Sequence, residues 1–76
     1  MKYPYVIERT PTGYGAYVPD LPGYGYTAET PDQVRALVRE GVPFHLEALR
    51  EFGEPIPEPW SSEDAPREGF ELIEVS

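Results

Sequence analysis

The most constraining feature of this sequence is the proline-bounded segment Val18-Pro19-Asp20-Leu21-Pro22-Gly23-Tyr24. Pro19 and Pro22 have no backbone N–H to donate to a sheet, so they end the strand that leads into them. Gly23 supplies the positive φ that a tight reversal requires. The segment therefore predicts a strand, a turn and a return strand that starts at Tyr24.

A capped helix is predicted to follow directly. Thr30 reads as the N-cap, Pro31 as the first helical residue and Gln33 as the reciprocal partner in a capping box. Apolar residues at helical spacing continue to about Phe52, and Gly53 occupies the position of a left-handed residue after the last turn.

Gly41 and Pro43 interrupt this helix. A proline removes one intrahelical hydrogen bond and clashes with the carbonyl four residues earlier, so it kinks or breaks a helix. We expect a kinked continuous helix because the apolar phase is kept on both sides of Pro43. A break into two shorter helices is the alternative.

The remaining segments complete an α+β domain of order β-β-β-α-β. Strands are predicted at Tyr3–Arg9, Tyr14–Val18, Tyr24–Ala28 and Phe70–Val75, and the first three form an antiparallel meander. Residues 54–69 are rich in Pro, Glu and Ser and predict an extended polyproline-type connector. The helix packs on one sheet face, and the crossover favours a last strand beside the first strand and parallel to it. The 76 residues thus form a single domain, with a core of about 3–53 and 70–75.

Size and composition limit what this domain can be. A chain of 76 residues buries only about 60% of its unfolded surface and is marginally stable alone. It has no cysteine and one histidine, so neither disulfides nor a Cys/His zinc site can add stability. We therefore expect a homo-oligomer, a dimer or a tetramer. No leader precedes the first strand and no apolar run approaches a membrane span, so a cytoplasmic location is expected, with no membrane partner.

The formal charge of −8 excludes an obvious nucleic-acid surface. Six basic residues are scattered among fourteen acidic ones, without the patch that phosphate binding requires. A basic protein is the natural complement. The alternative is that the acidity only aids solubility.

Both faces of the predicted sheet look apolar. Tyr3, Tyr5 and Ile7 alternate with Val6, and Tyr14, Ala16 and Val18 are opposed by Tyr17. One helix covers only one face, so the pattern indicates a partner against the open face or edge. The alternative is that the tyrosines simply tolerate half exposure.

Catalytic chemistry is poorly supported. A metal-dependent nuclease needs converging carboxylates, and the strands offer only Glu8, Glu71 and Glu74. Asp20 is expected to bond the backbone of its own turn, and His45 is expected to pack or cap. We predict no enzyme activity, no catalytic residue, no cofactor and no metal. A residual nuclease that uses Glu8 and Glu71 is the remaining enzymatic reading.

These residues also carry a resemblance to a known family. The tyrosine-rich first strand, the Val18–Gly23 turn, the helix start at Thr30 and two later segments resemble the HicB-like antitoxin family of bacterial and archaeal toxin–antitoxin modules. The two later segments are His45-Leu46-Glu47-Ala48-Leu49-Arg50-Glu51 and Gly53-Glu54-Pro55-Ile56-Pro57-Glu58-Pro59. The resemblance covers about residues 3–59.

The resemblance implies a truncated ribonuclease-H-like fold, homo-oligomers and direct binding to a small basic RNA-cleaving toxin of the HicA type. It also implies that this chain, the antitoxin of the pair, is not itself catalytic. The chain departs from the family in having Tyr24 where cysteine is frequent, and Gly41 and Pro43 in the helix. It stops at Ser76 without the DNA-binding domain of many members, so no direct nucleic-acid binding is expected.

The aromatic residues are the expected contacts with the partner. Buried aromatic side chains anchor most protein interfaces. The predicted contact residues are Tyr14, Tyr17, Tyr24, Tyr26 and Trp60. The same residues could instead build the homo-oligomer, and Trp60 could pack back onto the sheet. The alternative function is an orphan homo-oligomeric domain of the same fold that binds another protein or a small ligand.

Overall fold

The computed structural model describes residues 1–23 and 25–75 of the chain. Its elements are β1 (Lys2–Thr10), β2 (Gly13–Tyr17), β3 (Gly25–Ala28), α1 (Pro31–Glu51) and β4 (Glu71–Glu74). The predicted α+β architecture of order β-β-β-α-β is confirmed. In the described part of the chain, no helix has the length and apolar character needed to cross a membrane.

The four strands form one sheet of order β3-β2-β1-β4 in which every neighbouring pair is antiparallel. The last strand lies beside the first as predicted, but the predicted parallel direction is wrong. Tyr3 pairs with Ile73 and Tyr5 pairs with Glu71, which is an antiparallel register.

The reason for the antiparallel direction lies in the path of the connector. Arg35, near the start of α1, reaches Glu71 at the start of β4, whereas Arg50 and Val75 line one hollow at the other end. Helix and strand therefore run the same way. The long segment between them carries the chain back along the helix before β4 begins.

The turn and the helix ends follow the sequence closely. Gly23 has φ +87°, and Leu21 N–H donates to the Val18 carbonyl at 2.9 Å, so β2 ends at Tyr17 and not at Val18. The Thr30 hydroxyl accepts from Gln33 N–H at 3.2 Å, and Gln33 Oε1 accepts from Thr30 N–H at 3.1 Å. Gly53 follows the helix with φ +70°. Tyr24, the predicted start of the third strand, lies outside the described residues.

Helix α1 is one element through Pro43, so the predicted continuous helix is confirmed and the alternative of two shorter helices is wrong. Pro43 lies on the exposed side of the helix, and so does Arg39, whose carbonyl would have accepted the missing bond. Water can satisfy that carbonyl there, which lets the helix continue. A kink at this position stays a prediction.

The core lies between α1 and one face of the sheet, here called the helix face. Four helical residues at i, i+4 spacing are fully buried: Val34, Val38, Val42 and Leu46. They belong to one core cluster with Tyr3, Tyr5 and Ala16 from the helix face. The opposite face of the sheet, here called the second face, carries Pro4, Val6, Tyr17 and Leu72 by alternation.

Gly41 lets the helix approach the sheet at one point. A Cβ built on Gly41 would lie 2.5 Å from the ring of Tyr26, which is inside van der Waals contact. The position therefore needs a residue without a side chain, although glycine costs about 1 kcal/mol in a helix relative to alanine. The tight contact places Tyr26 under the helix.

We expect Gly41→Ala to lower the free energy of unfolding by about 1–3 kcal/mol, because the added methyl overpacks the contact by more than the helix propensity gains. Urea denaturation followed by circular dichroism measures this. The control is to add Gly41→Ala to a Tyr26→Leu variant, which has no ring beside the helix. In that background Gly41→Ala should lower the unfolding free energy much less than it does in the parent. A Gly41→Ala variant more stable than the parent would contradict the close contact.

An ion pair joins the helix to β4. Arg35 donates through Nε and Nη2 to the Glu71 carboxylate at 2.9–3.0 Å, and its Nη1 donates to Asp32 at 2.9 Å. The Tyr5 hydroxyl also donates to Glu71 at 3.2 Å. The hydrogen bond from Arg35 lowers the pKa of Glu71, whereas burial and the Glu71 carboxylate raise the pKa of Tyr5.

The lowered pKa of Glu71 predicts a pH dependence. An acid whose pKa falls on folding stabilises the fold above its unfolded value, about 4.3 for Glu, and that stability is lost as the pH drops through the folded value. The difference in unfolding free energy between the parent and Glu71→Gln should be constant near neutral pH and shrink below about pH 4.3. Urea titrations from neutral to acid pH test this, with Glu63→Gln in the exposed connector as the control for the charge change. A difference that does not change with pH would exclude this role of the ion pair.

Candidate protein-binding surfaces

The connector after α1 is held by the carboxylate of Asp20. Asp20 Oδ2 accepts from Trp60 N–H at 2.8 Å, and Oδ1 accepts from Ser62 N–H at 2.9 Å. The side chain is only 3% exposed. The structural role predicted for Asp20 is correct, but its partners are 40 and 42 residues away instead of in its own turn.

Tyr3 fixes the connector at a second point. Its ring is fully buried in the core, and its hydroxyl donates to the Pro57 carbonyl. Burial raises the pKa of Tyr3, and the carboxylates of Asp20 and Glu58 add to that effect. The phenol therefore stays protonated and remains a donor to the connector.

Trp60 is the aromatic residue of this anchored segment. Its backbone has φ +66°, and its ring meets Phe70 edge to face with 5.1 Å between centroids. Phe70 directly precedes β4, so Trp60 packs against the chain where it re-enters the sheet. This is close to the alternative in which Trp60 folds back, yet the side chain is still 45% exposed.

The second face of the sheet keeps an apolar area in contact with solvent. Val6 pairs with Tyr17 and Pro4 pairs with Leu72, so these four side chains are neighbours across three strands. Pro4 is fully buried, whereas Tyr17 and Leu72 are 39% and 47% exposed. Continuing the register by one residue sets Phe70 beside Val6, which brings Trp60 to the margin of the same area.

The four predicted contact residues that the structure describes do not lie together. Tyr14 and Tyr26 are on the helix face and pack against the core, with the Arg9 guanidinium 5.7 Å from the ring centroid of Tyr14. Tyr17 and Trp60 are exposed; Tyr17 pairs with Val6 on the second face, and Trp60 contacts Phe70 at the margin of that face. Tyr24 is outside the described residues.

A second exposed apolar surface was missed in the sequence. Leu37, Gly41, Phe44 and Ala48 recur at helical spacing about a quarter turn away from the core residues, and we call this set the helix flank. Leu37 and Phe44 are 38% and 77% exposed. Together with Tyr26 they line an open hollow of about 360 Å³. The helical spacing of these residues is the signal for them in the sequence, although the core stripe has the same periodicity.

The candidate catalytic groups are spread over the molecule. Glu71 faces the helix, where Arg35 binds it, whereas Glu8 alternates to the second face. Among residues 1–23 and 25–75, no three His, Cys, Asp or Glu side chains are arranged to hold a metal ion. His45 is partly buried at the edge of the core stripe, and burial lowers its pKa while Glu54 acts in the opposite sense.

Three comparisons relate this geometry to known proteins. The sequence model described as the HicB_like antitoxin of bacterial toxin-antitoxin system matches residues 3–70. The crystal structure of the N-terminal domain of the Burkholderia pseudomallei antitoxin HicB superposes with a TM-score of 0.75 and 26% identity. That likeness covers 100% of this chain and 99% of the other.

The third comparison is with a protein of Haemophilus phage HP1 described as an uncharacterized 14.9 kDa protein in the rep-hol intergenic region. It is 35% identical over 57 residues, which is 75% of this chain. The match covers 43% of the phage protein, so the chain spans less than half the length of this relative.

We expect Asp20→Ala to lower the unfolding free energy by about 1–3 kcal/mol, because two N–H groups lose a charged acceptor. The chain has a single tryptophan, so Trp60 fluorescence reports the connector directly. Its emission should shift to the red and acrylamide should quench it more strongly. Asp20→Asn, which keeps one amide oxygen, is the matched variant. Its unfolding free energy and its Trp60 emission should lie between those of the parent and those of Asp20→Ala. Unchanged emission in Asp20→Ala would show that the connector does not depend on this carboxylate.

Proposed function

Because this chain belongs to the HicB-like antitoxin family of bacterial toxin–antitoxin systems, we propose that it neutralises a small, basic RNA-cleaving toxin of the HicA type by binding it directly. The family match over residues 3–70 is the observation that carries this proposal. The likeness to the N-terminal domain of a HicB antitoxin supports it, since that domain covers the whole chain.

The charge of the chain supports a basic partner. A formal charge of −8 produces a field that accelerates encounter with a cationic protein and disfavours nucleic acid. An RNA-cleaving protein has to attract phosphate, so its substrate surface is expected to be basic. We propose that the acidic chain covers this surface, without catalysis of its own, in the cytoplasm.

We propose that the toxin binds the second face of the sheet. Tyr17 and Leu72 are half exposed there, and Trp60 stands at the margin, so the face offers aromatic and aliphatic anchors of the kind that dominate interface energies. Tyr14 and Tyr26 pack against the core, whereas Tyr17 and Trp60 do not belong to it. Among the predicted residues we therefore favour Tyr17 and Trp60 as contacts with the toxin. The antitoxin acts in this proposal as a homo-oligomer, a dimer or a tetramer.

The first experiment is co-expression of the chain with the product of the adjacent small open reading frame, followed by pull-down and growth rescue. A stable complex that restores growth would establish the antitoxin role. No complex and no rescue with a folded protein would overturn it and favour an orphan domain that binds another protein or a small ligand.

Within a complex, Tyr17→Ala should weaken toxin binding at least tenfold, as expected for loss of a central aromatic anchor. Isothermal titration calorimetry measures the dissociation constant. Phe52→Ala is the matched control, because Phe52 is 79% exposed at the C-terminal end of α1, away from the second face. Raising the salt from about 50 mM to about 500 mM should weaken binding of the parent protein. If Phe52→Ala weakens binding and Tyr17→Ala does not, the second face is not the toxin site.

A further inference from the structure

Two features that the single chain leaves uncovered meet on one side of the molecule. One is the outer edge of β3, and the other is the helix flank of Leu37, Gly41, Phe44 and Ala48. Tyr26 joins them, because it belongs to β3 and its ring lies against Gly41 in the flank. The two features therefore form one continuous surface.

The edge strand β3 is short, with four residues, but it carries neither a charged residue nor a proline that would hinder pairing. Strands at the edge of a soluble sheet are normally blunted by charged residues, proline or bulges. The opposite edge of this sheet has Glu71 and Glu74 on β4 and Arg35 bound to it. In contrast, β3 reads Gly25-Tyr26-Thr27-Ala28, and within residues 1–23 and 25–75 no strand pairs with its outer side.

The helix flank is equally open. Phe44 is 77% exposed on a well-formed helix, and Leu37 lies two turns earlier on the same stripe. Ala48 is a small residue one turn beyond Phe44, and a small residue in a helical stripe allows a second helix to approach closely. An apolar stripe of this kind beside a bare strand edge indicates a partner that covers both.

We propose that this surface binds a second copy of the chain about a two-fold axis, with β3 antiparallel to β3 of the other copy. A suitable partner needs an unpaired strand edge and an apolar helix stripe on the same side of its own sheet, and this chain carries both. The pairing is isologous and closed, as most homodimers are. It produces an eight-stranded sheet with the two helices side by side on one face.

Strand parity limits the position of the axis. Residues directly opposite each other in an antiparallel pair point to the same face of the sheet. If both helices lie on one face of the sheet, each residue must be opposite a residue that points to that same face in the second copy. The two-fold axis therefore passes beside one residue of β3, which is Tyr26 or Thr27. Thr27 then faces either Thr27 or Gly25 of the second copy.

The available area is of the order that a dimer needs. At 1.5 Å per residue the 21-residue helix is about 31 Å long. The smallest dimension of the chain is 19 Å. A rectangle with the length of the helix and this width has an area on the order of 600 Å². Side chains that project from the surface make its accessible area larger than this flat area. Specific interfaces bury about 800 Å² per partner, so the two areas are of the same order.

Charge gives this dimer a distinctive signature. Each copy has a formal charge of −8, and Glu40 lines the hollow beside Phe44, so association brings like charges together. Salt screens that repulsion and should tighten the dimer. A basic protein bound at the same surface would be released by salt, so the direction of the effect separates the two occupants.

The inference specifies the homo-oligomer that the proposed function includes, and its test uses this chain alone. Sedimentation equilibrium should give about 17 kDa for the parent, twice the 8.6 kDa of one chain, with a dissociation constant that falls as salt rises. Phe44→Glu should sediment as a folded monomer, because its side chain is mostly exposed in the single chain. Leu72→Glu on the second face is the matched control and should stay dimeric.

The absence of cysteine allows a second test by cross-linking. Thr27→Cys alone, or in a one-to-one mixture with Gly25→Cys, should form a disulfide-linked dimer under mild oxidation, because a disulfide needs Cα atoms within about 7 Å. Glu63→Cys in the connector should not. A monomeric parent, a dimeric Phe44→Glu, or equal cross-linking of Glu63→Cys would overturn the proposal. None of these results depends on the toxin, so a failed toxin pull-down and a failed dimer remain distinguishable.

Discussion

The buried carboxylate of Asp20 is the interaction on which the rest of the structure depends. An ionised carboxylate is costly to bury unless hydrogen bonds satisfy it, and here the N–H groups of Trp60 and Ser62 do so. These two bonds tie the turn after β2 to the segment after α1. Because the connector is fixed there, Trp60 meets Phe70 and β4 enters the sheet antiparallel to β1.

The anchored connector also decides which surfaces remain for partners. The helix covers one face of the sheet, and the connector reaches the margin of the other face through Trp60. The second face and the β3 edge with the helix flank are consequently separate surfaces. The proposed toxin and the proposed second copy can therefore bind the same chain without competing for the same residues.

The tyrosines show how far the sequence could predict the site. Alternation places Tyr3 and Tyr5 on one side of β1 and places Tyr17 opposite Ala16 on β2, as the structure has them. The pattern does not say which side the helix covers, since both sides are apolar. The sequence predicts Tyr26 as a contact residue, and only the structure shows that its ring lies against Gly41 under the helix. The sequence pattern does not separate the helix flank from the core residues, because Leu37 and Phe44 continue the same apolar periodicity.

What the sequence by itself determined is the order, the type and the ends of the elements. The Thr30 capping box, the positive φ of Gly23 and Gly53, and the prolines around Asp20 all act through residues a few positions away. Only the tertiary structure decided the direction of β4, the partners of Asp20 and the contact of Gly41 with Tyr26. Each of these depends on residues 15 or more positions apart, whose meeting is set by packing and by the satisfaction of buried polar groups, and no local pattern encodes it.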